Sequence, residues 1–249
     1  DFVINRQMKI IENTQYFGQA VPFHYVDYGS SAMACVCGAE ADYQDEETIW
    51  AHPNLKTLEE VMDVAVDPEN ENWKTILTIT EKSVGLAHNH HFVGNFALMG
   101  MTDILAGLYG TENFLMDLIM KPDMVKDAMS HMKDIWINTF GQMNNIIKKS
   151  GNRGNIGWHG IWSPGTSFPI QEDVAYMISP EQFKEFCLPH IYDFVDAMEY
   201  PFFHLDGVGM IPHLDCLLEI PNLKVIQWQP GAGKESLAQW HDLIKKILD

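Results

Sequence analysis

Arginine is nearly absent from this chain of 249 residues: Arg6 and Arg153 are the only two, against 34 acidic side chains and a formal net charge of −18. A site that clamps several carboxylates or phosphates ordinarily uses arginine forks, so a multiply anionic substrate is a poor match. The same charge argues against nucleic acid and an anionic membrane as partners. Long apolar runs are lacking too, and none approaches the roughly 18 residues that a membrane helix needs. Nothing near the start resembles a secretory signal. Cysteine is sparse. Cys35, Cys37, Cys187 and Cys216 do not make the disulfide framework of a small secreted domain, and Cys35-Val36-Cys37 is too tight for the usual metal or redox hairpin. All four read as buried small hydrophobes in a reducing, cytoplasmic setting. Internal repeats, low-complexity tracts and Pro/Gly/Ser linkers are also missing, which makes residues 1–249 a single domain.

What is present is a chain 46% hydrophobic, enough for a full-sized core, in which short apolar strands alternate with helices. Strands are expected at 21–27, 84–87, 155–161, 201–206 and 223–228, with a small-residue loop at 28–34 and an acidic segment at 42–50. Thr57 to Glu60 forms a capping box opening a helix over 58–66, and further helices are expected at 73–82, 101–109 and 114–120, the last with Thr111 as N-cap. Pro122 opens a long helix to about 150. Its stripe of Val125, Met129, Met132, Trp136, Phe140 and Met143 lies at helical spacing and reads as core packing. Ser179-Pro180-Glu181-Gln182 combines an N-cap, a proline at the first helical position and a capping box. Short helices at 211–218 and 237–248 complete the series. Strands alternating with helices call for a parallel sheet with helices outside, an α/β class. A start at Asp1 rather than Met, and an end on a helix with no strand behind it, predict a barrel truncated at one or both ends.

Two segments carry the chemistry. Phe202 to Gly207 and Val225 to Gly231 are each a short apolar run ending in polar residues and glycine. A buried parallel strand that delivers its last side chains to a site reads this way. His204 and Asp206, two apart on a strand, face the same way, and imidazole plus carboxylate can hold a metal or move a proton. Asp173, preceded by Gln171, is a second carboxylate for the same pocket. His88, His90 and His91 cluster at the end of the strand expected at 84–87, where pocket lining is the leading reading. The run 231–236 invites comparison with a phosphate loop. Its spacing fails, because Trp228 stands where the first glycine should be and Glu235 where the metal-binding hydroxyl belongs. It reads as a glycine turn into a helix.

From about Val84 to Gly233 the chain resembles the uroporphyrinogen decarboxylase (URO-D) superfamily. The matching pieces are Met99-Gly100, Gly110 to Leu115, Ile178 to Pro189, and Phe203 to Gly207 with its companion Ile226-Gln227-Trp228. The resemblance implies a (β/α)8 TIM barrel with its site at the C-terminal face. It also implies one of two chemistries. One branch decarboxylates the acetate arms of uroporphyrinogen without a cofactor, gripping them with an arginine-rich N-terminal segment that this chain does not show. The other comprises zinc-dependent methyltransferases that move methyl groups between a substrate or thiol and a corrinoid protein.

In that second branch zinc sits on a histidine and a cysteine two apart, plus a later cysteine. His204 matches the histidine, while Asp206 takes the cysteine position. A harder oxygen ligand suits activation of a methoxy or amine donor better than of a thiolate. The expectation is therefore a corrinoid-dependent methyltransferase, with His204, Asp206 and Asp173 as catalytic groups and His204 and Asp206 holding zinc. His90, His159, Gln171, Gln227 and Trp228 would contact a small methyl donor or carboxylate substrate. Alternatives are a cofactor-independent decarboxylase and a barrel that serves only as a binding subunit.

Overall fold

A computed structural model describes residues 1–43, 48–88 and 90–249. The chain opens with α1 (Phe2–Glu12), β1 (Phe23–Tyr25) and α2 (Ala32–Val36). Every residue of α2 is buried, so the expected loop at 28–34 gives way to a helix in its second part. β2 (Glu40–Asp42) and β3 (Trp50–His52) pair antiparallel; the middle of the acidic segment between them, residues 44–47, lies outside the described residues. Next come α3 (Leu58–Met62), α4 (Glu71–Leu86) and β4 (Phe92–Gly94). The Thr57–Glu60 capping box is formed, and Asn70 caps α4 by accepting from the backbone N–H groups of Asn72 and Trp73.

The strand expected at 84–87 is not there. Those residues prolong and cap α4, because Val84 and Ala87 pack with Val93 and Ile147 at a helical spacing. α5 (Met101–Tyr109) and α6 (Thr111–Met120) follow, the latter capped at Gly110 rather than Thr111. The long α7 (Pro122–Ile147) then buries the whole predicted stripe. At its centre the Trp136 ring meets Phe194 at 4.2 Å and Phe140 at 5.4 Å. Its indole N–H donates to the Met99 carbonyl at 3.0 Å. That bond helps hold Met99 in the left-handed region, with φ of 60°, a conformation costing an L-residue roughly 1–2 kcal/mol.

The strand expected at 155–161 is reduced to a single antiparallel bridge between Asn155 and Ser163. Gly154 and Gly160 take φ of 84° and 73° there, which folds the segment into turns instead of extending it. β5 (Pro169–Ile170) was not expected. After it come α8 (Pro180–Gln182), opened by the Ser179–Gln182 capping box, and a π-helical turn over Phe183–Cys187 that leads into α9 (Leu188–Asp196). Pro189 has no N–H to offer the Glu185 carbonyl and crowds it, so the helix widens just before the proline. β6 (Phe202–Asp206), α10 (Leu214–Leu218), β7 (Val225–Gln229) and α11 (His241–Leu248) end the chain.

Parallel pairing links β1 with β4, and β5 with β6 with β7. The sheet is thus in two parallel pieces plus an antiparallel hairpin, and the described residues do not form the closed eight-stranded barrel that the family resemblance implies. The α/β class and the parallel strands stand. All four cysteines are buried and free. Among the described residues no helix is long and apolar enough to cross a membrane.

Candidate functional site

The C-terminal ends of the parallel strands surround a cavity of about 280 Å³. β1 and its loop supply Tyr25, Asp27 and Ser30, the loop after β4 supplies Ala97, and the turns after Asn155 supply Trp158. The segment after β5 gives Gln171 and Asp173, and β6 gives His204 and Asp206. A larger hollow of about 560 Å³ lies between Ile211 and the start of α11, but its lysine, Lys246, is already paired with Asp215 at 2.5 Å, and it gathers no comparable group of reactive side chains.

Strand parity brings the central residues together. His204 and Asp206 point the same way from β6, and each has a ligand atom within 4.8 Å of the other and of Asp173. His204 and Gln227 are cross-strand partners in the β6–β7 register. The Gln227 carbonyl oxygen meets His204 Nδ1, while its amide nitrogen donates to the Trp228 carbonyl at 3.4 Å. A carbonyl oxygen only accepts, so Nδ1 carries a hydrogen, and in the neutral ring the lone pair is on Nε2. Nε2 lies 3.9 Å from Asp206 Oδ2. The Trp158 ring stands edge-on to His204 at 5.1 Å.

Asp173 is held from beneath by an exchange of carboxylates. Glu172 is fully buried and accepts from Met101 N–H, from Thr102 N–H and hydroxyl, and from His190 Nε2 at 2.6 Å. In return Asp103, at the start of α5, accepts from the N–H groups of Asp173 and Val174 at 3.1 and 2.8 Å. Glycine is obligatory at position 100, since a Cβ there would lie 2.1 Å from the Gln171 carbonyl oxygen. Gln171 donates to Asp173 at 3.0 Å. Asp173 is exposed as a residue, but lost solvation at its carboxyl first, then Asp103, Asp206 and Glu172, push that carboxyl up to about 8, against the Gln171 bond. Burial and then Glu172 raise Asp103 to about 6, opposed by its backbone N–H bonds.

Four predicted residues thus line one cavity: Gln171, Asp173, His204 and Asp206. Gln227 stands behind His204 as its orienting partner. His159 sits deeper, its ring 4.5 Å from that of Phe202. Its Nδ1 accepts from Ile161 N–H at 2.9 Å, and burial, then His204, lower its pKa to about 4. The structure places two further predicted residues away from the cavity. His90 precedes β4 and so lies at the N-terminal strand ends, away from the cavity, because α4 continues where a strand was expected. Trp228 faces away from His204. It alternates with Gln227 and packs against Trp240 at 5.2 Å. Tyr25 and Asp27 went unassigned although the run 21–27 ends in a carboxylate, the same signal that marked 202–206. Glu172 was overlooked between Gln171 and Asp173.

The chain shares its fold with a methyltransferase from Methanosarcina mazei, with a TM-score of 0.58 and 16% sequence identity over 81% of this chain and 56% of that one. It therefore spans little more than half the length of the protein it matches. Neither family models nor curated proteins give a match.

Proposed function

We propose that this chain is a methyltransferase of the uroporphyrinogen-decarboxylase-like type, which holds a divalent ion between Asp173, His204 and Asp206 and moves a methyl group between a small substrate and a corrinoid protein. The observation that carries this reading is the mutual approach of those three groups, within 4.8 Å, at the C-terminal strand ends of a fold shared with a methyltransferase. The donor set fits a metal. Gln227 fixes the His204 ring as an outer-shell partner does, with Nε2 free. Asp173 is crowded by like charge, which a divalent cation would neutralise. Among the described residues no cysteine lines the cavity, so the set is nitrogen and oxygen, harder than the histidine–cysteine pair of the resemblance but within the range of zinc.

When bound, such an ion supplies Lewis acidity at the methyl donor's leaving atom. The rest falls to side chains. Trp158 and Tyr25 limit the space and shed water, and Gln171 steers Asp173. The decarboxylase alternative fits less well. Among the described residues three carboxylates and no lysine or arginine line the cavity, and about 280 Å³ is far too little for a tetrapyrrole. Elemental analysis of chelator-free protein reloaded with zinc tests the reading. We expect about one equivalent bound, and His204→Ala should lose it along with at least a hundredfold of methyl-transfer rate. Less than about a tenth of an equivalent, with activity unaffected by chelator, would overturn the metal and leave His204, Asp206 and Asp173 as a proton-transfer set.

A further inference from the structure

We infer that His213 and Tyr176 are positioning residues for the proposed metal triad: they join the turn that begins at Asp173 to the turn that follows Asp206, and so set the distance between those two carboxylates. This rests on the metal reading for what the spacing serves, but not for the joint itself. The sheet does not fix that distance. Pairing between β5 and β6 ends at Ile170 and Phe203, three residues short of Asp173 and of Asp206. Beyond those points the chain enters two 3₁₀ turns, Asp173–Met177 and Val208–His213, and side chains link them.

The first link is a hydrogen bond. His213 Nε2 lies 3.0 Å from the Ala175 carbonyl oxygen. That oxygen also accepts from Ile178 N–H at 3.2 Å, so it serves its own turn and the neighbouring one together. A carbonyl only accepts, which puts a hydrogen on Nε2. His213 is fully buried and stacks on Phe183 at 4.4 Å, and its Nδ1 meets no partner among the described residues. A bare buried nitrogen is unfavourable, and leucine would fill the space without one. The bond to Ala175 is therefore what histidine contributes. The second link is steric. The Tyr176 ring lies against the strip behind Asp206, where an added Cβ would come within 3.2 Å of it at Gly207 and 2.5 Å at Gly209. Gly207 also needs glycine for its φ of 81°. Gly209 has no positive φ, so there the ring alone excludes a side chain.

Zinc affinity by chelating-dye competition, read beside urea unfolding and amide hydrogen exchange of the full chain, tests the joint. His213→Leu should weaken zinc about tenfold and speed exchange over 173–178, while the amides of α7 keep their protection. His213→Gln, whose side-chain N–H can still donate to Ala175, should recover most of both. Gly209→Ala should weaken zinc about threefold, but in a Tyr176→Ala background the same methyl should change nothing, because the ring it strikes is gone. Unchanged affinity in the leucine variant, a glutamine variant no better than leucine, or a Gly209→Ala penalty that persists without the ring would overturn the inference. If His213→Leu does not fold, the Gly209–Tyr176 cycle decides. If the unaltered protein binds no zinc, the metal reading falls by itself, and exchange judges the joint: unchanged rates over 173–178 in both His213→Leu and Gly209→Ala would overturn it.

Discussion

Histidine gathers at both ends of the parallel strands, and the two gatherings are built on opposite principles. At the N-terminal end Ser83 lies between His24 Nδ1 at 2.7 Å and His91 Nε2 at 3.0 Å, and His91 Nδ1 reaches His90 at 3.2 Å. His24, Ser83 and His91 are almost fully buried. The Ser83 hydroxyl and the rings of His24, His91 and His90 share hydrogens so that each contact can have a donor and an acceptor. At the C-terminal end His204 has only one nitrogen satisfied by protein, and the groups that it faces are carboxylates crowded against further carboxylates. A closed network stabilises a fold. An imidazole nitrogen with only carboxylates before it, at the mouth of a cavity, is instead an arrangement open to something outside the chain, and such departures from self-consistency mark working sites.

The sharpest way to break this contrast is to cut the support beneath the open end. Glu172→Ala removes the acceptor of Met101, Thr102 and His190, leaving buried donors without partners. The loss should be about 3–5 kcal/mol in urea unfolding, the largest effect expected of any single change in the region. Glu172→Gln, which keeps an acceptor, should recover part of it. A loss below about 1 kcal/mol for the alanine variant would mean that water replaces the carboxylate and that the exchange does not hold Asp173.

A smaller and more selective effect is expected from the orienting partner. Gln227→Leu leaves His204 Nδ1 without its acceptor but removes no proposed ligand. Zinc affinity should fall about tenfold, the lower end for outer-shell changes, with unfolding stability altered by less than about 1 kcal/mol because β7 is the edge strand of its sheet. Competition with a chelating dye would measure it. Unchanged affinity would show that the ring is held by Trp158 packing and not by the cross-strand bond.

How far the sequence could be read follows the same divide. Local rules reported themselves plainly: the capping boxes at Thr57 and Ser179, the helical stripe of α7, and the period-two pairing of His204 with Asp206. Each needs only neighbours a few residues away. The misreadings came where distant contacts decide. Residues 84–87 are apolar enough for a strand, yet the packing of Val84 and Ala87 with Val93 and Ile147 keeps them on a helix. The segment 155–161 reads as extended until the positive φ angles of Gly154 and Gly160 are known. Trp228 was within reach, since the parity that pairs His204 with Asp206 also turns Trp228 away from Gln227. Glu172 was not, because nothing local shows that its partners are 70 residues earlier on α5.

The closed network offers the smallest and most diagnostic effect. Burial, then His91, lowers the pKa of His24 to about 4. Burial, then His90, lowers His91 to about 4 as well, against its bond with Ser83. Unfolded histidine titrates near 6.5. Above that value both states are neutral and pH changes nothing. Between about 6.5 and about 4 the unfolded chain binds protons that the native network refuses, so this contribution to stability falls as pH falls. Asp103 and Asp173, with raised values of about 6 and about 8, work in the opposite direction, since the native state keeps their protons while the unfolded state gives them up. The whole-protein profile will therefore be blunt, and a difference is needed. His91→Gln should cost about 1–2 kcal/mol at pH 7.5 through its lost bonds, and that cost should shrink as pH drops from 6.5 to 5, because the variant has one fewer refused proton. Urea melts of both proteins at several pH values would show it. A cost that stays constant or grows in acid would mean that His91 is charged in the native state, and the contrast between a closed and an open end would fail.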